Sequence, residues 1–127
     1  MQTLLVVSDN KMQFAPQSHI STAFNLVNIS ILEPAAILSW VQQYQPDLVI
    51  LNLEWSQVID LQLITALRLD WLTRSIPILM LGNSSISEQT SAALDYDAFL
   101  SKPYSNSALE RAICSLVVPS NLRKHAL

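Results

Sequence analysis

Glycine is almost missing from this chain. Among its 127 residues Gly82 is the single glycine, so neither GxGxxG nor GxxxxGK[ST] can be written anywhere. Both motifs need several glycines to bring backbone amides close to phosphate groups. The sequence therefore argues against dinucleotide cofactors and against P-loop nucleotide chemistry.

Charge is scarce as well. Charged residues make up 13% of the chain, well below the roughly 25% usual for soluble domains. This indicates either a surface that meets a partner or a background in which Gln and Ser replace charges. The net charge is -3, and the few cations are scattered except for Arg123, Lys124 and His125. Without a broad positive field, the domain alone is not expected to bind nucleic acid.

Cysteine and long apolar runs are also lacking. The single cysteine, Cys114, cannot form an internal disulfide, and its amphipathic surroundings predict a buried small side chain. No apolar run approaches the roughly 18 residues that cross a bilayer, and the first residues do not resemble a signal peptide. His19, His125 and the tryptophans have no metal-ligand spacing. We expect a cytoplasmic protein that contacts no membrane and holds no metal or cofactor.

Short apolar runs that end at polar residues are present three times, at Thr3 to Val7, Asp47 to Leu53 and Ile76 to Leu81. This pattern is typical of strands buried on both faces of a sheet. Asn25 to Leu32 and Asp97 to Leu100 are weaker strand predictions.

Helical periodicity fills the intervals. One helix follows Pro34, a second runs on from Asp60, and Ser107-x-x-Glu110 resembles the capping box of a third. Ile86 to Leu94 predicts a further short helix. Strands that alternate with helices predict a parallel sheet covered on both faces. The apolar positions expected to pack on the sheet are Ile37, Trp40, Val41 and Tyr44, then Leu63, Ile64, Leu67 and Trp71, then Ile113, Leu116 and Val117.

This order of elements resembles the flavodoxin-like fold, an α/β fold with a five-stranded parallel sheet in the order 2-1-3-4-5 and helices on both faces. Within that fold, Phe99-Leu100-Ser101-Lys102-Pro103-Tyr104 resembles the lysine-proline-aromatic signature of response-regulator receiver domains. Residues 5–10 and 46–53 are similar to the first strand with its acidic loop and to the third strand of that CheY-like family. The resemblance covers nearly the whole chain and implies a receiver-like domain over residues 1–118, followed by a tail or linker over 119–127.

The resemblance also assigns a phosphorylation site, and this chain departs from it at three positions. Asn52 matches the aspartate that accepts the phosphoryl group, and a neutral carboxamide is a poor nucleophile. Ser8 and Asp9 match a pair of magnesium-binding carboxylates, of which one remains. Gly82 matches the hydroxyl residue at the end of the fourth strand. The resemblance therefore implies a degenerate site, with Asp9 and Lys102 retained, in a protein that is not an enzyme.

Lys102 is expected to form an ion pair with Asp9 and to touch the Asn52 amide oxygen. The alternative is that Lys102 still binds an anion. Glu54 is a further carboxylate near this site. Ser84 and Ser85 are possible substitutes for the missing hydroxyl. The neighbouring Trp55 is expected to be exposed.

The resemblance implies a pseudo-receiver that binds a protein such as a histidine kinase or another signalling protein. It also allows self-association through the face made by the family's fourth helix, fifth strand and fifth helix. Here that face maps to residues 86–117 and carries Tyr96, Phe99 and Tyr104, of which Phe99 matches an aromatic linked to switching but also fits ordinary packing.

Two alternatives stay open. The chain could accept a phosphoryl group on Glu54 or Asp9, or it could be the receiver part of a transcription regulator whose DNA-binding domain follows Leu127. The Gln-rich style of residues 40–46 looks similar to cyanobacterial receivers.

Overall fold

The computed structural model describes residues 2–8, 24–30, 34–52, 57–82 and 96–117. These residues form five strands and three helices. The strands are β1 (Thr3–Ser8), β2 (Asn25–Ser30), β3 (Leu48–Asn52), β4 (Ile78–Gly82) and β5 (Ala98–Ser101), and the helices are α1 (Pro34–Tyr44), α2 (Gln57–Leu69) and α3 (Asn106–Leu116). The predicted helix over residues 86–94 and the predicted tail over 119–127 lie outside the described residues.

The five strands form one parallel sheet in the order β2-β1-β3-β4-β5. This confirms the predicted flavodoxin-like, CheY-like architecture. All strands end at the same side of the sheet, which we call the carboxyl edge, and begin at the opposite side, the amino edge. No helix in the described part of the chain is long and apolar enough to span a membrane.

The two faces of the sheet carry separate cores, because successive side chains of a strand point to opposite faces. The first core joins alternate residues of β1, β3 and β4 to α1 and α2. The second core joins the remaining strand residues to Leu109 and Ile113 of α3. Leu4, Leu5, Val6 and Val7 are all fully buried, as expected for a strand covered on both faces.

The predicted apolar stripes of α1 and α2 are correct in their middle and wrong at their ends. Ile37 and Val41 are buried, whereas Tyr44 is 41% exposed and stacks on the half-buried Trp40 with ring centroids 5.5 Å apart. Trp71 is 73% exposed. Because α2 ends at Leu69, Trp71 belongs to a turn and does not continue the helical stripe.

Two predictions for α3 were also wrong. The helix is capped by Ser105, whose hydroxyl accepts a hydrogen bond from Ala108 N at 3.0 Å, so it begins before the predicted box at Ser107. Cys114, expected to be buried, is exposed. Since each residue turns a helix by about 100°, the side chain that follows the buried Ile113 faces solvent.

The shortage of glycine is visible where α1 ends. Gln45 has a φ of 45°, in the left-handed region that glycine usually occupies after a helix. Its backbone N–H donates to Val41 O at 2.9 Å, and its side-chain amide donates to Gln42 O at 3.1 Å. These bonds stabilise a conformation that costs a non-glycine residue about 1 kcal/mol.

A polar cluster at the amino edge joins α2, β4 and β5. Arg68 Nη1 donates to the carbonyl oxygens of Arg74 at 2.9 Å and Ile76 at 3.0 Å, while Nη2 lies 2.6 Å from Asp97 Oδ2. The same carboxylate oxygen accepts a hydrogen bond from Ile78 N at 2.7 Å. β4 and β5 begin at Ile78 and Ala98, later than predicted, and the cluster lies directly before both strands.

Candidate functional site

The carboxyl edge brings together the ends of β1, β3, β4 and β5. Ser8 is the register partner of Asn52 between β1 and β3. Gly82 is the partner of Ser101 between β4 and β5, and Lys102 follows directly. The structure thus gathers the matched positions within its described part, as the resemblance predicts. Asp9, Glu54, Trp55, Ser84 and Ser85 lie outside the described residues.

Ser8 and Asn52 form a buried neutral pair. Both continue the alternation of strand residues that point into the second core, so their side chains leave the sheet on the same face. Ser8 is 9% exposed and Asn52 is 3% exposed. Ser8 Oγ and Asn52 Oδ1 are both buried, and neither has a hydrogen-bond partner among the described residues.

This lack of partners is costly. A buried polar group without a hydrogen bond lowers stability by about 1–3 kcal/mol, and native proteins contain few such groups. Two of them sit on adjacent strands at one edge. Two such oxygens side by side at the carboxyl edge call for a specific explanation, of which a role in binding is one.

Gly82 and Lys102 complete the described part of the site. Gly82 is buried and offers no hydroxyl, and its carbonyl oxygen accepts a hydrogen bond from Lys102 N at 2.7 Å. The Lys102–Pro103 peptide bond is cis. Because Asn52 Oδ1 has no hydrogen-bond partner, the expected contact between Lys102 and this oxygen was wrong. The ion pair of Lys102 with Asp9 stays a prediction.

The aromatic residues predicted for an interface divide between the two faces of the sheet. Tyr96 and Phe99 pack against the first core, with ring centroids 6.0 Å apart. Tyr104 packs against the second core, and its burial raises the pKa of its phenol above the ordinary value of 10.0. All three are half-buried, and the sheet separates Tyr104 from the other two. Their role in an interface stays a prediction.

The described residues do not fit a magnesium ion. Magnesium prefers a nearly octahedral shell of hard oxygens that includes carboxylates. Ser8 and Asn52 offer only neutral oxygens, and no group of three His, Cys, Asp or Glu residues in the described ranges is arranged to hold a metal. Nothing in this set supplies the negative charge that such an ion requires.

Two features at the amino edge were not predicted from the sequence. Arg68 and Asp97 are 29 residues apart, and no local period links them. The exposed Trp71 was mistaken for part of a helical stripe, although Asp70 and Thr73 directly around it are residues that favour turns. That local composition was the available signal.

Comparison with known proteins identifies the fold. No protein-family model and no curated protein matches the chain. A candidate response regulator from Chloroflexus aurantiacus superposes with a TM-score of 0.68 at 18% identity and covers 91% of this chain and 97% of its own. The receiver domain of a sensor histidine kinase from Pseudomonas aeruginosa, solved with a magnesium ion in its active site cleft, gives 0.68 at 14% identity and covers 91% and 97%.

A cobalamin-binding protein from Desulfitobacterium hafniense gives 0.63 at 16% identity and covers 93% of this chain and 59% of its own. The chain is thus similar in fold to receiver domains of response regulators. At these identities the likeness establishes the fold alone, because one fold hosts several functions.

Proposed function

We propose that this chain is a pseudo-receiver, a signalling module of a two-component-type pathway that acts through protein contacts and not through phosphoryl transfer. The observation that carries the proposal is Asn52 at the end of β3, paired in register with Ser8, both buried and neutral. It lies where the resemblance puts the nucleophile and one metal ligand.

Three physical requirements of aspartate phosphorylation are unmet among the described residues. The nucleophile would have to be an ionised carboxylate, and Asn52 is an amide. The incoming phosphoryl group carries close to two negative charges at neutral pH, and the resemblance implies that a magnesium ion and a fourth-strand hydroxyl hold them. Ser8 adds no charge to hold that cation, and Gly82 adds no hydroxyl.

Binding is the activity that remains for a fold of this kind without transfer chemistry. The resemblance suggests a histidine kinase or another signalling protein as partner. We place the contact on the outer side of α3 and on β5, where Ser107, Arg111 and Cys114 are exposed. Such a module would work in the cytoplasm, where two-component receivers meet their kinases.

The direct test is incubation with acetyl phosphate and magnesium, followed by intact-mass measurement. The wild-type mass should stay unchanged. The matched control is the triple variant Ser8→Asp, Asn52→Asp and Gly82→Thr, which restores each missing group on the same backbone and should gain one phosphoryl group. A stable adduct on the wild-type chain contradicts the proposal, and mapping it to Glu54 or Asp9 supports an atypical acceptor.

The partner surface is tested separately by capture from a lysate with the wild-type chain and with Arg111→Glu. Arg111 is exposed on α3, so its reversal should leave the fold intact. Loss of a kinase or another signalling protein from the variant's captured set supports the α3 surface. Unchanged capture of the same protein moves the contact elsewhere.

A further inference from the structure

The turn between α2 and β4 exposes an unusual amount of apolar surface. Leu69 is 80% exposed, Trp71 is 73% exposed and Leu72 is 37% exposed. Tryptophan is strongly buried on average in soluble proteins. We call residues 69–74 the Trp71 turn; it lies at the amino edge, opposite the degenerate site.

The Trp71 turn is held in one conformation by hydrogen bonds. Asp70 Oδ2 accepts from Leu72 N at 3.2 Å, and Asp70 O accepts from Arg74 N at 2.9 Å. The buried Thr73 donates its hydroxyl to Leu67 O at 2.6 Å. Arg68 Nη1 also donates a hydrogen bond to the carbonyl oxygen of Arg74. A partner that docks here therefore meets an ordered backbone, which reduces the entropy cost of binding.

We propose that the Trp71 turn is a docking site for a second copy of this chain, in a two-fold symmetric pair. A two-fold interface uses the same patch on both subunits. Leu69, Trp71 and Leu72 expose roughly 400 Å² of apolar surface per copy, so a symmetric pair buries about 800 Å² before any polar rim is counted. This area approaches the about 1,000 Å² that a specific interface needs.

The charges beside Trp71 also favour self-association. Asp70 and Arg74 carry opposite charges at the two ends of the turn, and Arg74 is exposed. A two-fold axis through the patch lets Asp70 of one copy face Arg74 of the other at both ends. A strongly acidic partner would be attracted by Arg74 and repelled by Asp70, and for a strongly basic partner the reverse holds. The patch is therefore better suited to a second copy of this chain.

This site differs from the one used in the proposed function and does not depend on it. α2 packs on the first core and α3 on the second, on the other face of the sheet. A pair joined at the Trp71 turns leaves the outer side of each α3 accessible to another protein.

The test is sedimentation equilibrium of the full chain from about 1 µM to about 200 µM, the range in which modest interfaces associate. The wild-type chain should approach twice the 14.2 kDa mass of the monomer. Trp71→Ser should weaken association at least about 30-fold, as removal of a central interface tryptophan does. Arg74→Asp should weaken it about 3-fold to 10-fold at low salt.

The control is Arg111→Ser on α3, which should associate like the wild type. Urea unfolding of dilute Trp71→Ser should give the wild-type midpoint, because the side chain is exposed in the monomer. A wild-type chain that stays monomeric throughout overturns the proposal. A Trp71→Ser variant that associates as strongly as the wild type also overturns the proposal, whatever the result for Arg111→Ser.

Discussion

The two edges of the sheet differ in whether their buried polar groups form hydrogen bonds. At the carboxyl edge, Ser8 Oγ and Asn52 Oδ1 are buried without hydrogen-bond partners in the described ranges. At the amino edge, Thr73 is as deeply buried, yet its hydroxyl is bonded to a helix carbonyl, and Arg68 makes three hydrogen bonds. Between the two edges, the central strands β1, β3 and β4 are mostly apolar and buried.

This difference separates stability from function within one domain. The amino edge satisfies its polar groups and ties α2 to β4 and β5, which stabilises the fold. The carboxyl edge keeps oxygens that the fold does not use. Parallel α/β sheets bind ligands at the carboxyl ends of their strands, so this edge is where a binding site is expected in such a fold.

The largest effect should come from Arg68→Met at the amino edge. The change removes the hydrogen bonds to Arg74 O and Ile76 O and the ion pair with Asp97, and it should lower the free energy of unfolding by about 2–3 kcal/mol. Urea denaturation measures it. Arg111→Met, on the exposed side of α3, should stay within about 0.5 kcal/mol. Equal losses in both variants would remove the distinction between the edges.

Thr73→Val should cost less, about 1–2 kcal/mol, because valine keeps the shape but leaves Leu67 O without the hydroxyl that bonds it at 2.6 Å. The same denaturation experiment applies. A variant as stable as the wild type would mean that this hydrogen bond contributes nothing to the amino edge.

Ser8→Ala removes the same chemical group from the carboxyl edge and should act in the opposite direction. Since Ser8 Oγ has no hydrogen-bond partner in the described part of the chain, its loss should raise the free energy of unfolding by about 0.5–1 kcal/mol. Thr73→Val is its matched counterpart. If Ser8→Ala destabilises the protein, the Ser8 hydroxyl is bonded in solution and the contrast between the edges fails.

The smallest effect concerns Tyr104, which follows the Lys102–Pro103 bond. Burial raises the pKa of its phenol above 10.0, so the folded state holds this proton more tightly than the unfolded state does. The stability that it contributes is complete below pH 10.0 and declines as the pH rises through the folded pKa. The difference between ultraviolet titrations of the wild type and Tyr104→Phe should have its midpoint at a pH above 10.0. A midpoint below that pH contradicts the raised pKa of Tyr104.

Much of the fold was predictable because its signals are local. Apolar runs located β1, β3 and β4, and alternation with helical segments predicted the parallel sheet. The stripe in α2 failed at Trp71 because a period does not reveal where a helix ends, and the stripe in α1 failed at its last residue, Tyr44, which is exposed. The predicted start of α3 was wrong because Ser105 and Ser107 are both good capping residues. Only the packing of Leu109 and Ile113 selects between them.

The candidate site was predictable in its chemistry and not in its contacts. That Asn52, Ser8 and Gly82 lack a carboxylate, a charge and a hydroxyl is a matter of residue type, and the sequence alone determined it. Tertiary structure decided that Ser8 Oγ and Asn52 Oδ1 are buried without partners, that Arg68 reaches Asp97, and that Cys114 and Trp71 face solvent. Burial and hydrogen bonding depend on what distant segments place around a side chain, and no local pattern of residues contains that information.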